Sequence, residues 1–145
     1  MSAAQLHLLV VHLPVVGCLA ALVLLAIGEW RRSELVFQIA CGFLLGCAAA
    51  AAVAYYSGPA AYEQLATVLE AEKTFIEDHA VLGRAAFVGM VIVGVVALQA
   101  LLQYLQDEKP APWLRWLLLV LTLAMCGLFA WAAHLGGLIR HVEVR

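Results

Sequence analysis

Four apolar stretches, approximately Leu6–Ile27, Leu35–Tyr56, His79–Leu102 and Trp113–Leu135, constrain this chain more than any other feature. At roughly 1.5 Å of rise per helical residue, about 20 residues cross the hydrocarbon layer of a bilayer. Each stretch meets that length and is read as a transmembrane helix. Composition agrees: 66% of residues are hydrophobic and only 12% charged, against about 25% charged in ordinary soluble domains. That excludes disorder and argues for a membrane protein in contact with the lipid bilayer. The net charge is −2 and the only basic cluster is Arg31-Arg32, so no nucleic-acid partner is expected. A length of 145 residues suits a single domain, 1–145.

The first segment has no basic leader and no small-x-small cleavage site before Glu29. It is therefore read as a retained helix rather than a secretion signal. "GEWRRSE" links the first two helices. "QDEKPAPW" links the last two, with Pro110 and Pro112 as breakers and Trp113 and Trp116 as interface anchors. Short connections make neighbours antiparallel, so the expected fold class is all-α, an integral membrane up-down four-helix bundle. Gly42, Gly46 and the run of alanines at 48–52 offer a small-residue face for close helix approach. The longest connection, Ser57 to Asp78, opens with Ser-Gly-Pro and then spaces apolar residues at a helical period. It predicts an amphipathic surface helix over about 60–77, between helices 2 and 3. Arg31 and Arg32 follow the first helix and nothing basic precedes it, which puts the N-terminus outside by the positive-inside rule. Counted together the cations are balanced, with Arg31, Arg32, Lys109 and Arg115 on one side and Lys73, Arg84, Arg140 and Arg145 on the other. The expected location is a bacterial inner membrane, with both termini periplasmic.

Cys18, Cys41, Cys47 and Cys126 all lie inside apolar runs and form no Cys-x-x-Cys pair. They are read as small buried hydrophobes. The histidines carry the chemistry. His7 and His12 lie near the start of helix 1, His79 begins helix 3, and His134 and His141 end helix 4. In an up-down bundle those places share one face of the membrane. His134 and His141 are seven residues apart, so they share a helix face about 10 Å apart along the axis. His7 and His12 are five apart, about 140° of rotation, and Pro14 distorts the helix start enough to re-aim a ring.

A polar ring in hydrocarbon needs a partner. Every acid sits in a connection or tail, and zinc ordinarily draws on cysteine or carboxylate as well. An all-histidine set on facing helices fits bis-imidazole haem, and Gly136 and Gly137 between the two helix-4 histidines make room for a macrocycle. No Cys-x-x-Cys-His is present, so the haem would be non-covalent, b-type. Arg84, Arg140, Tyr55, Tyr56 and Ser57 are candidates to meet its propionates.

At these residues the sequence resembles the small four-helix bacterial membrane proteins filed as "domain of unknown function 2231". The family's opening His-Pro-x-x-Val-His-Phe-Pro is similar to "HLLVVHLPVVG", with His7, His12 and Pro14 in register. Its second helix ends in a Thr-Gly or Ser-Gly turn, as at Ser57-Gly58, and its third opens with a histidine, as in "DHAVLGRAA". Its last helix ends in Gly-Gly, and one branch reads Gly-His-x-Gly-Gly-x-Leu-Thr-His, against "AHLGGLIRH" here. Leu8 stands where the family has proline, and Arg140 where that branch has threonine. The resemblance spans nearly the whole chain and implies a membrane b-type cytochrome or related redox subunit.

The expected function is therefore electron transfer through one or two haem b groups at the outward side. His12, His79 and His134 are expected as core ligands, and His7 and His141 as a shallower pair. Bis-imidazole iron has no open position, which favours an electron-transfer subunit over a stand-alone enzyme. Expected partners are other respiratory or redox membrane subunits, quinol, or a periplasmic cytochrome c. The alternative is a copper- or zinc-binding, or purely structural, membrane subunit.

Overall fold

The computed structural model describes residues 1–66 and 73–140, the side chain of Arg140 excepted. It contains α1 (Ala3–Val10), α2 (His12–Arg31), α3 (Glu34–Leu65), α4 (Lys73–Leu105) and α5 (Pro112–Arg140), with no strand among the described residues. α1 and α2 form one run interrupted at Val11, giving four helices long and apolar enough to cross a membrane, of 28 to 33 residues. At 1.5 Å per residue they reach roughly 42–50 Å, so their ends project past a hydrocarbon layer of about 30 Å. α2 packs on α3, α3 on α4, α4 on α5, and α5 back on α2, closing the ring of an antiparallel bundle. α1 leans on α3 rather than α5.

The break at Val11 has a local cause. Pro14 has no N–H for the carbonyl of Val10, where α1 ends. It sits in the first turn of α2, where an N–H would lack a partner anyway. The start of α1 is fixed by a capping box: Ser2 Oγ accepts from the Gln5 N–H at 3.2 Å, and Gln5 Oε1 accepts from the Ser2 N–H at 2.9 Å. A further first-turn donor, the Ala4 N–H, reaches Gln64 Oε1 on α3 at 3.1 Å.

That last bond depends on a departure from the sequence expectation. Ser57-Gly58-Pro59 does not turn the chain, and α3 runs through it to Leu65. Of the expected surface helix over 60–77, the first part extends α3 and the last part opens α4, while 67–72 lie outside the described residues. Pro59 withholds one N–H from the carbonyl of Tyr55, a loss a helix tolerates when a neighbour repairs the surrounding backbone. Here α1 is that neighbour. Its His7 ring binds the adjacent Ala54 carbonyl, and Ala61 is buried at the helix crossing.

Small residues set the helix spacing. Ala21, Ala40, Ala51, Ala86, Ala97 and Ala100 are buried, and a Cβ on Gly94 would stand 3.0 Å from Ala48 Cβ. Close approach therefore occurs between α3 and α4 at Ala48 and Gly94. Gly42 and Gly46, expected on that face, point outward with nothing within 4 Å.

At the end opposite the histidines, one cation ties all four spans together. Arg115 on α5 is only 8% exposed. Its Nε donates to Glu29 Oε1 of α2 at 2.5 Å, and Nη1 donates to Glu34 Oε2 of α3 at 2.8 Å. Nη1 also donates to the hydroxyl of Tyr104 on α4 at 3.1 Å, and that hydroxyl in turn donates to Glu34. The guanidinium lies 4.1 Å from the centroid of the Phe37 ring. Two tight reversals, with Arg32 at φ 51° and Asp107 at φ 59°, bring these residues together.

Removing the cation leaves two part-buried carboxylates facing each other. Arg115→Met is expected to destabilise the bundle by about 3 kcal/mol. Arg115→Lys should recover only part of this, because an ammonium lacks the planar fork that serves three partners. Denaturant titration in mixed micelles, followed by circular dichroism, measures both.

Candidate cofactor site

The four described histidines all stand at the same end of the bundle, but they do not point the same way. His7 and His79 are half-buried, whereas His12 and His134 are exposed on its outer surface.

His7 projects from α1 toward α3. Its Nδ1 lies 2.9 Å from the Ala54 carbonyl and 3.2 Å from Ser57 Oγ. The serine hydroxyl itself donates to Ala54 O at 3.1 Å. A carbonyl oxygen can only accept, so His7 Nδ1 carries the proton and Nε2 keeps its lone pair. His79 repeats the arrangement between α4 and α5, where its Nδ1–H donates to the Ala132 carbonyl at 3.0 Å. Each of the two rings also rests against a glycine of a neighbouring helix. A Cβ on Gly136 would stand 3.2 Å from His79 Cε1, and one on Gly58 would stand 3.5 Å from His7 Cε1. Gly136 thus makes room for the His79 ring, while Gly137 has open space beside it.

His12 also donates from Nδ1, to the carbonyl of Leu8 in its own helix at 2.8 Å, and its ring faces outward. His134 lies on the outer face of α5 beside Trp131, with ring centroids 5.6 Å apart. The expected core trio of His12, His79 and His134 therefore does not converge. Among the described residues, no three histidine, cysteine, aspartate or glutamate side chains are placed to hold a metal ion. The pair turned to the interior is His7 with His79. His141 lies outside the described residues, as does the side chain of Arg140.

The signal for these orientations was present in α5. Its buried positions Leu118, Thr122, Met125, Phe129 and Ala132 alternate spacings of four and three. His134 falls two residues past Ala132, about 200° away, on the opposite face. The expected propionate partners divide in the same way. Arg84 is exposed, and Tyr55 stacks on Phe87 at 4.7 Å and 6°. Tyr56 meets the same ring edge-on at 5.7 Å, and Ser57 is committed to Ala54 and His7. Beside His79, a groove of about 270 Å³ opens between α4 and α5, lined by Asp78, Val81, Leu82, Trp131 and Leu135.

What sequence reasoning missed is the polar cluster at the opposite end. Glu29, Glu34, Tyr104 and Arg115 come from four separate segments, and charge counting alone cannot pair them.

No protein-family model, curated protein or solved structure matches this chain. Geometry and donor chemistry therefore define it: a multi-pass helical membrane protein with two inward imidazoles at one end.

A direct consequence concerns tautomers. In the isolated protein at alkaline pH, His7 and His79 should both be protonated at Nδ1. Long-range nitrogen–proton NMR on ring-labelled protein should show Nε2 as the unprotonated nitrogen in each. An Nε2–H signal from either ring would contradict the bonding described.

Proposed function

We propose that this protein is a membrane electron-transfer subunit holding one b-type haem between His7 and His79. The observation that carries the reading is that two half-buried rings each bond in the same way to a neighbouring helix, whereas His12 is exposed and bonds within its own. Each spends its Nδ1 proton on a backbone carbonyl and offers Nε2 as a lone-pair donor. A bond from the distal N–H to a carbonyl is the ordinary second-sphere arrangement of a metal-ligating histidine, fixing ring orientation and raising basicity. The donor set fits haem: two neutral imidazoles, with no carboxylate or thiolate ligand beside them. When bound, haem supplies reversible one-electron chemistry at iron. The chain's part is to hold the two rings, fix their tautomers and keep water from the buried side.

His12 and His134 are not ligands in this reading, which lowers the expected stoichiometry to one haem per chain. The resemblance in "HLLVVHLPVVG" and "AHLGGLIRH" supports the same class of protein. Arg31 and Arg32, at the far end, favour the histidine end and both termini on the periplasmic side of a bacterial inner membrane. Quinol, a periplasmic cytochrome c or neighbouring redox subunits would exchange the electron there.

A second reading rests on the same bonds. His7 joins α1 to α3 and His79 joins α4 to α5, so both serve as interhelical staples whether or not iron is present. The readings part on one experiment. Protein expressed with haem supply is purified, and its dithionite-reduced spectrum and pyridine haemochrome are recorded. The haem reading expects one haem per chain, lost in His7→Ala and in His79→Ala, and retained in His12→Ala and His134→Ala. A folded protein with no haemochrome, destabilised by His7→Ala and His79→Ala alone, would establish the staple reading instead.

A further inference from the structure

Below the histidines, the bundle brings together side chains that the proposed function does not use. Cys18 of α2 points its Sγ at Sδ of Met90 on α4, 3.7 Å away. Cys47 of α3 comes in beside them because Gly17, next to Cys18, has no side chain. A Cβ there would stand 2.5 Å from Cys47 Sγ. Cys47 is buried in the same core cluster as Cys18 and Met90, and Cys126 of α5 packs against that cluster. Cys18 and Met90 are fully buried and Cys47 is 4% exposed. None of the cysteines is in a disulfide. Eleven residues separate His79 from Met90, roughly 16 Å along the helix axis, so this cluster is distinct from the imidazole site.

We propose that this cluster is a copper(I) site, with the Cys18 and Cys47 thiols and the Met90 thioether as donors. Softness is the first argument. Thiolate and thioether sulfur select copper(I), whereas magnesium, calcium and manganese take oxygen. Charge is the second. At this depth a net charge is costly to hold. A monovalent ion that displaces one thiol proton leaves a neutral site: Cu⁺ binds one sulfur as thiolate, one H⁺ leaves, and no electron moves. The other thiol and the thioether then bind as neutral donors. Zinc would need two thiolates for neutrality and ordinarily takes cysteine, histidine or carboxylate rather than a thioether. Geometry is the third. Two sulfurs about 2.3 Å from a shared metal stand about 3.8 Å apart, so Cys18 and Met90 need almost no rearrangement.

The test uses the full chain in detergent, reduced and freed of metal, titrated with copper(I) against a bicinchoninate chelator. X-ray absorption at the copper edge then reports the ligands. The expected result is one copper(I) per chain with a sulfur-only first shell. Met90→Leu should weaken binding about ten-fold or more, and Cys18→Ala with Cys47→Ala should abolish it. His7→Ala with His79→Ala should leave binding intact, which separates this site from the haem reading. Met90→Leu conserves volume, so it reports on the ligand even if a cysteine variant fails to fold. Copper bound equally by Met90→Leu and wild type, nitrogen in the first shell, or loss of binding with the histidines would each overturn the proposal. So would wild-type protein that binds no copper.

Discussion

A half-buried ring wedged between two helices must find its hydrogen-bond partner within the protein, and this sets the behaviour of the two inward imidazoles. Backbone carbonyls are the acceptors within reach, and a carbonyl can only accept. His7 and His79 must therefore direct an N–H at Ala54 and Ala132. Each ring thereby turns its remaining lone pair away from the carbonyl it holds. The same demand that stabilises the helix contacts leaves Nε2 of each neutral ring unprotonated. At His79 a glycine eases the approach: a Cβ on Gly136 would crowd the ring, whereas one on Gly58 would make ordinary contact with His7.

The two ends of the bundle meet the demand in opposite ways. At the histidine end, neutral rings bond to backbone. At the other, the Arg115 guanidinium distributes its donors over Glu29, Glu34 and the Tyr104 hydroxyl, drawing in every span. Charge-assisted bonds of this kind are roughly twice as strong as neutral ones. Lys109, 3.6 Å from Glu34 and largely exposed, adds little beside them.

The spans, their order and their antiparallel packing were legible in the sequence, because apolar length and short polar connections dictate them directly. The gathering of histidines at one end followed from the same topology. Ring direction was harder to read. The break at Val11 shifts the phase of His7 relative to His12, and His134 lies off the α5 stripe that runs through Phe129 and Ala132. Ser57-Gly58-Pro59 reads as a turn by local chemistry, yet tertiary packing against α1 carries the helix through it. Arg115 reads as one more surface cation until its partners, far away in sequence, are brought to it. Cys18, Cys41 and Cys47 are buried as read and Cys126 is half-buried, but no spacing in a single chain says that the Cys18 thiol and the Met90 thioether, on different helices, will meet.

The unequal fastening of the two rims has a mechanical consequence. A barrel of rods riveted at the base and merely latched at the mouth opens by leaning its rods outward about the rivets. Among the described residues, the rivets are the arginine and its carboxylates, and the latches are the ring-to-carbonyl bonds, the Ala4–Gln64 bond and the Tyr55–Phe87 stack. Separation of the helices would thus begin at the mouth rather than at the base.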